Sequence, residues 1–565
     1  MSRYLNFTLL FVAMSLFFAC FFLMPVWSTV KVAFVSTDGN FTLDYIFEVF
    51  RNPIYREGLF NSFLIAFWST AGCLLMALPL SVLFWRYEFP SKSVLSSLLL
   101  LPMILPPFVG AIGVRAMLGQ AGAVNSLLIS LGYMSPDHPM DWLGNGQMVG
   151  VIIMNVLHLY PILFLNISAA LSNLDPALEE AAANLGCAPW DRFKKITLPL
   201  ITPGVFAGGT IVFIWSFTEL GVPLIFDYTR VTSVQIFNSI KDLSDNPFPY
   251  ALVSVMLGFT VLLYGLSKLL FERGYASGGG RATTARQTIE LSFEMRLACS
   301  AGVVFCILLA IFPHIGVVLL AFSSDWYRTV LPESFTLTHF HSALSHELTL
   351  KAVANSLKYA SLATLLDLVL GFAIAHVNVR SNVRGRHLLD AMAMLPLAVP
   401  GLVLAFGYLA MAREGQPFHW LMMGEDPVFL LVIAYSVRRL PFVVRSVTAG
   451  LQQVSHTLEE AAQNLGATPQ RTLSRITLPL VMPNLIAGGL LAFSFAMLEV
   501  SDSMILAQQS SHYPITKAIY SLVGALGDGP YIASALGVWA MVFLGVTLLG
   551  AGVLLGKKLG TLFRL

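Results

Sequence analysis

The strongest constraint on this chain is a series of apolar runs, each long enough to cross a lipid bilayer. They fall near residues 8–34, 60–85, 94–118, 148–170, 201–226 and 250–270, then near 297–322, 356–377, 388–411, 427–449, 481–507 and 531–556. A helix rising about 1.5 Å per residue needs roughly 20 apolar residues to span the hydrocarbon layer. Composition agrees: of 565 residues 56% are hydrophobic and only 11% charged, with a mean hydropathy of +0.75. A water-soluble chain has nowhere to bury so much apolar surface. Soluble enzymes, nucleic-acid binders and secreted disulfide scaffolds are therefore excluded. The fold class is an all-α polytopic membrane protein with about 12 transmembrane helices. The first run, Phe7 to Val35, exceeds a signal-peptide core and lacks a small-residue cleavage site, so it reads as a retained anchor. The five cysteines, Cys20, Cys73, Cys187, Cys299 and Cys306, lack metal-ligand spacing; the four in apolar runs read as small core residues.

The runs form two sets of six, and the sets repeat each other. Leu178 to Gly209 aligns without gaps on Leu458 to Gly489 at an offset of 280, with 18 identities in 32 positions. Earlier in each half the offset is 294: Asn61-Ser62 answers Asn355-Ser356, and Leu101-Pro102 answers Leu395-Pro396. An even number of spans separates the copies, so they share one orientation and the duplication is parallel. The expected organisation is a first half at 1–270, a polar linker at 271–296 containing Ser277-Gly278-Gly279-Gly280, and a second half at 297–565. With both termini on the cytoplasmic side, the inside loops and tails hold 19 of the 33 basic residues, among them Arg86, Lys194, Lys195, Arg281, Arg286, Arg380, Arg471, Lys557, Lys558 and Arg564; the outside loops hold eight, including Lys241. That imbalance sets the expected topology.

The repeated loops, 171–200 and 451–480, carry the most local information. Asp175 is placed as an N-cap with Pro176 at the first helical position, and Ser455 caps the second copy. Leu178, Ala181, Ala182 and Leu185 recur at i, i+3, i+4 and i+7, as do Leu458, Ala461, Ala462 and Leu465, so each short helix carries one apolar stripe. Gly186 and Gly466 stop these helices, and Pro189 and Pro469 start the next ones. The expected shape is a helix–glycine–helix elbow, whose alanines allow close approach to a groove of another protein.

Glu180-Ala181-Ala182, Gly186, Ile196 and Leu198-Pro199, with the same spacing at Glu460-Ala461-Ala462, Gly466, Ile476 and Leu478-Pro479, resemble the EAA loop of ABC importer permeases. The resemblance covers essentially the whole chain, as a fused double permease. It implies that each elbow docks into a cytosolic ATPase, with Glu179, Glu180, Ala181, Ala182, Gly186, Glu459, Glu460, Ala461, Ala462 and Gly466 as coupling residues. Glu180 and Glu460 would be the polar contacts, and the glycines the bends. It further implies two copies of the ATPase, a periplasmic substrate-binding protein, a bacterial inner-membrane location, no enzymatic site and no nucleic acid. No cofactor is expected on this chain: Gly552 to Lys558 lacks a phosphate-loop spacing, so ATP and Mg belong to the partner subunits. Phe217 to Phe226 is most similar to the ferric-iron importers; thiamine, aminoalkylphosphonate, polyamine and sulfate systems share the architecture.

Ionisable residues inside spans are costly and therefore functional candidates. Glu219 and Glu499 are equivalents at offset 280, with Asp502 close beyond; His158 and Arg438 are also equivalents, just before Pro161 and Pro441, and Asp367 lies in the eighth run. Two readings stand. Glu219, Glu499 and Asp502, with Arg438, face a central substrate pathway, or Glu499 pairs with Arg438 or Arg439 to brace one half. A loop with His339, His341, His346 and Glu347 reads as solvated or as touching the binding protein, with metal ligation as the lesser alternative. A carrier driven by an ion gradient, relaying through Glu219, Glu499 and Asp367, is the rival function.

Overall fold

The computed structural model describes residues 2–36, 39–143, 147–242, 246–277, 289–422 and 426–554. Asp38, the glycines at 278–280, Arg281, Arg286, Lys557, Lys558 and Arg564 lie outside the described residues, as do positions 278–288 of the expected linker. Its flanks are ordered elements. Helix Phe248–Ser277 runs past residue 270, Ile289–Glu290 pairs in parallel with Tyr87–Glu88, and the next helix, Phe293–Phe322, begins before residue 297.

Among the described residues, ten helices are long and apolar enough to span a membrane: Phe7–Ala33, Pro53–Arg86, Pro107–Ser130, Met148–Ser172, Pro189–Ile225, Phe248–Ser267, Phe293–Phe322, Glu347–Arg380, Pro469–Met497 and Gly529–Leu548. The pair Arg386–Leu397 and Gly401–Met411, bent by 97°, makes an eleventh if taken as one span. The remaining expected segment, the run near 427–449, is helix Val428–Gln453, which carries Arg438, Arg439 and Arg445 along an otherwise apolar length. Side chains on the outer surface, such as Leu75, Val369 and Val546, are apolar and exposed. A bilayer covers such a surface; water does not.

The structure departs from straight helices at two places per half. The run expected as 94–118 breaks after Ile104, and a new helix starts at Pro107; the run expected as 388–411 breaks before Gly401. Leu105-Pro106-Pro107 and Val399-Pro400-Gly401 are equivalents, and proline has no N–H to continue the ladder. The segment after each elbow also breaks. Leu198–Phe217 gives way to Gly221–Ile225, and Leu478–Met497 to Ser501–Leu506, with Glu219 and Glu499 in the gaps. Irregular backbone at membrane depth is tolerated only where protein or a cavity satisfies it.

The first helix of each half packs on the other half. Helix Phe293–Phe322 lies on Pro107–Leu118, and Met24–Ala33 lies on Gly401–Met411. Both crossings depend on glycines at equivalent positions. A Cβ on Gly113 would sit 2.0 Å from the carbonyl oxygen of Pro313, and one on Gly407 would sit 2.6 Å from that of Pro25. The exchange ties the halves into one body. The equivalent Asn61-Ser62 and Asn355-Ser356 pin each second span to its returning loop: Asn61 donates to the Arg230 carbonyl at 2.9 Å, Asn355 to that of Ser511 at 2.9 Å, and the serine hydroxyls accept from the Thr232 and Ile515 amides.

Candidate functional site: two elbows and a central cavity

The elbows fold as their capping residues dictate. Asp175 accepts from the Ala177 amide at 3.0 Å at the start of Pro176–Asn184, and Ser455 accepts from Thr457 at 3.3 Å at the start of His456–Asn464. Gly186 and Gly466 adopt φ of +79° and +87°, the left-handed region that a side chain resists, with open space around each. A second helix follows at Pro189 or Pro469, then a π turn, Phe193–Thr197 or Leu473–Thr477, before the next span.

Adjacent glutamates in each elbow face opposite ways. Glu179 and Glu459 are buried, and Glu180 and Glu460 are exposed. Thr197, at the end of the π turn, donates to Glu179 at 2.5 Å, and Thr477 donates to Glu459 at 3.0 Å. Arg380, at the end of the eighth helix, donates its Nε to Glu459 at 2.9 Å and a terminal nitrogen to the Val454 carbonyl at 2.8 Å. These side chains are only 6% and 3% exposed. Glu179 and Glu459 therefore hold the elbow's shape from inside, while Glu180 and Glu460 lie on its outer surface. His456 Nδ1 lies 2.9 Å from Glu460 Oε1.

The described residues leave most of the apolar stripe uncovered. Leu185 is 88% and Leu465 90% exposed; Leu178 and Leu458 are half exposed, Ala181 and Ala461 are exposed, and Ala182 and Ala462 are partly covered. Trp190 adds a large exposed ring beside the first elbow.

A cavity of 210 Å³ lies where the broken segments of both halves meet. Pro106, His158, Trp215 and Glu219 line it from the first half, and Pro400, Arg438, Arg439 and Glu499 from the second. Glu219, Glu499 and Arg438 reach the cavity surface, and Glu499 also pairs with both arginines: Arg438 lies 2.5 Å from its Oε1, and Arg439 bonds its Oε2. Asp502 does not line the cavity; it lies fully buried behind that surface, 3.6 Å from Arg438. Asp367 is also buried behind it and accepts from Ser436 at 2.6 Å. Arg438 fits because position 401 is glycine, whose added Cβ would overlap the guanidinium. Glu219 is held differently, with Oε1 accepting from the Gly221 and Val222 amides at 3.0 and 3.2 Å. Its counterpart cations are absent, since His158 and Leu159 stand where the second half has Arg438 and Arg439. His158 Nδ1 lies 2.8 Å from the Pro102 carbonyl.

The histidine loop is partly structural. His339 is buried and stacks on Tyr531 with ring centroids 5.1 Å apart, and His346 accepts from the Leu348 amide at 3.2 Å. Among the described residues no three His, Cys, Asp or Glu converge as metal ligands. The partners missed from sequence were Arg380, Thr197 and Thr477. Their signal was positional: Arg86 and Arg380, and Thr197 and Thr477, are equivalents in the two halves.

The profile of the family described as binding-protein-dependent transport system inner membrane component matches residues 77–277 and again 367–551. The chain belongs to that family, in a form carrying its permease unit twice: it is an ABC importer permease, a multi-pass membrane transport component rather than an enzyme. Among curated relatives, a protein named putative ferric transport system permease protein FbpB 1, from Haemophilus influenzae, is 28% identical over 82% of this chain and 71% of its own length. The ferric transport system permease protein FbpB of Actinobacillus pleuropneumoniae is 26% identical over 86% of this chain and 68% of its own. A putative 2-aminoethylphosphonate transport system permease protein PhnV of Salmonella typhimurium is 29% identical over 41% of this chain and 86% of its own.

Proposed function

We propose that this chain is the membrane subunit of an ATP-driven importer for ferric iron in a bacterial inner membrane. A periplasmic binding protein delivers the cargo, and two copies of a cytosolic ATPase dock on the elbows with both chain termini on their side. ATP and Mg bind those subunits. Their closure draws the elbows together and switches access to the cavity between the halves; this chain performs no covalent chemistry.

The observation that carries the reading is the pair of elbows. Each presents an exposed apolar stripe with an exposed glutamate, on a helix locked from inside by a buried glutamate. A stripe of that kind, rigidly presented and unpartnered, suits a helix seated in a groove. A carrier driven by an ion gradient has no use for two of them. The ferric cargo rests on relatives that match along most of the chain, against phosphonate relatives that match one half.

The test is ATP hydrolysis in proteoliposomes holding this chain, its ATPase and its binding protein. Ferric-loaded binding protein should stimulate hydrolysis in the unaltered chain and fail to do so in Glu180→Ala/Glu460→Ala. Stimulation by aminoethylphosphonate-loaded binding protein alone would reassign the cargo. Stimulation unchanged in the double variant would remove these glutamates from coupling.

A further inference from the structure

The two glutamates of the cavity are equivalent in sequence and unequal in structure. Both oxygens of Glu499 are taken by Arg438 and Arg439, and Asp502 adds a second carboxylate beside Arg438. In that cluster two guanidinium groups face the carboxylates of Glu499 and Asp502, with Asp367 buried behind them. Glu219 has no cation within ion-pair distance among the described residues. One oxygen caps its own short helix, and the other has no protein partner among the described residues. Of the two carboxylates lining the cavity, Glu219 is the one without an ion-pair partner among the described residues.

We infer that Glu219 is the cation-accepting residue of the pathway, a transient station for a hard trivalent metal ion, and that Glu499 belongs to the scaffold. This rests on the ferric reading above. A carboxylate is the oxygen donor that such cations prefer over nitrogen or sulfur. Glu219 stands at the C-terminal end of Leu198–Phe217, where the helix dipole adds partial negative charge. The space is large enough for a hydrated ion. At 210 Å³ the cavity is smaller than the roughly 300–1,000 Å³ pockets that take drug-sized molecules, yet it holds several waters at about 10–15 Å³ each. A single carboxylate with water completing the shell binds weakly, as a station that must release its cargo requires.

The experiment uses terbium(III), a trivalent oxygen-seeking probe whose emission is sensitised by a nearby indole. Trp215 lines the same cavity. With the assembled transporter in nanodiscs, terbium should give an emission component that Trp215→Phe removes. Glu219→Gln should weaken binding in that component about tenfold or more, as loss of a charge-assisted contact does, while Glu219→Asp keeps it. Glutamine retains the Oε1 acceptor that caps Gly221, so the fold persists; the aspartate variant tests the charge independently. A Trp215-dependent signal indifferent to Glu219→Gln, or no such signal in the unaltered chain, overturns the inference. In parallel, Glu219→Gln should lose uptake of radioactive iron while keeping ATP hydrolysis stimulated by ferric-loaded binding protein; uptake at the unaltered rate also overturns it. Failure of that stimulation in the unaltered chain defeats the ferric reading instead, so the two failures are told apart.

Discussion

Removing the carboxylate of Glu459 should free the second elbow, whereas removing that of its neighbour Glu460 should not. Glu459 and Arg380 are 3% and 6% exposed, so solvent screens their interaction little, and Thr477 bonds the same carboxylate oxygen. Taking one partner from a buried pair strands the other charge and costs about 3–5 kcal/mol. At 1.4 kcal/mol per factor of ten, opening of the elbow becomes roughly a hundred- to several-thousand-fold more frequent. Glu460 is mostly exposed, and its truncation should stay within about 0.5 kcal/mol. Hydrogen exchange of the backbone amides between His456 and Gly466, read by mass spectrometry, measures that opening directly. Glu459→Ala should speed exchange there by two orders of magnitude or more, and Glu460→Ala by less than about threefold. The double variant Arg380→Ala/Glu459→Ala should recover part of the loss, because no charge is left stranded. Equal exchange in the two single variants would refute the assignment of inner and outer roles to these glutamates.

Four further outcomes follow from the same geometry. Leu185→Asp/Leu465→Asp changes two exposed side chains and should leave the melting temperature unaltered while abolishing co-purification of the ATPase. Glu499→Ala strands Arg438 and Arg439 in a protein interior and should remove folded transporter from detergent extracts, as size-exclusion chromatography would show. Gly113→Leu drives a side chain into the Pro313 carbonyl and should also prevent assembly, whereas Gly258→Leu, with nothing within 4 Å, should be tolerated. Gly466→Ala meets open space but keeps a left-handed φ, so it should cost only about 1 kcal/mol in thermal unfolding.

Much of this architecture was legible before any coordinates, and the reason differs by feature. The spans and the duplication were readable because a bilayer demands long apolar runs and because the copies keep their spacing. The elbows were readable because their signals are local: Asp175 and Ser455 as caps, Gly186 and Gly466 as stops. The helix breaks at Pro106 and Pro400 were missed, although the prolines were in view, because the apolar runs continue unbroken through them. The swap of first helices lies beyond any periodicity argument, since Gly113 and Gly407 act through backbone contacts hundreds of residues away in sequence. The same limit hid the bond between Arg380 and Glu459. Arg380 could be counted as a basic residue of an inside loop, but its burial depends on the elbow folding back over it. Of the cavity charges, Glu219, Glu499 and Arg438 were found through their cost inside a membrane. Which of them is matched and which is not emerged only from the distances.

The measurement that bears most directly on the central claim is uptake of radioactive iron into proteoliposomes holding the complete assembly, with ATP and the proton gradient varied independently. If the paired elbows couple this chain to an ATPase, uptake requires internal ATP and continues at an undiminished rate when an ionophore collapses the gradient. Uptake that proceeds without ATP on an imposed pH gradient, and stops with the ionophore, would contradict the account and make the intramembrane carboxylates the relay of an ion-driven carrier.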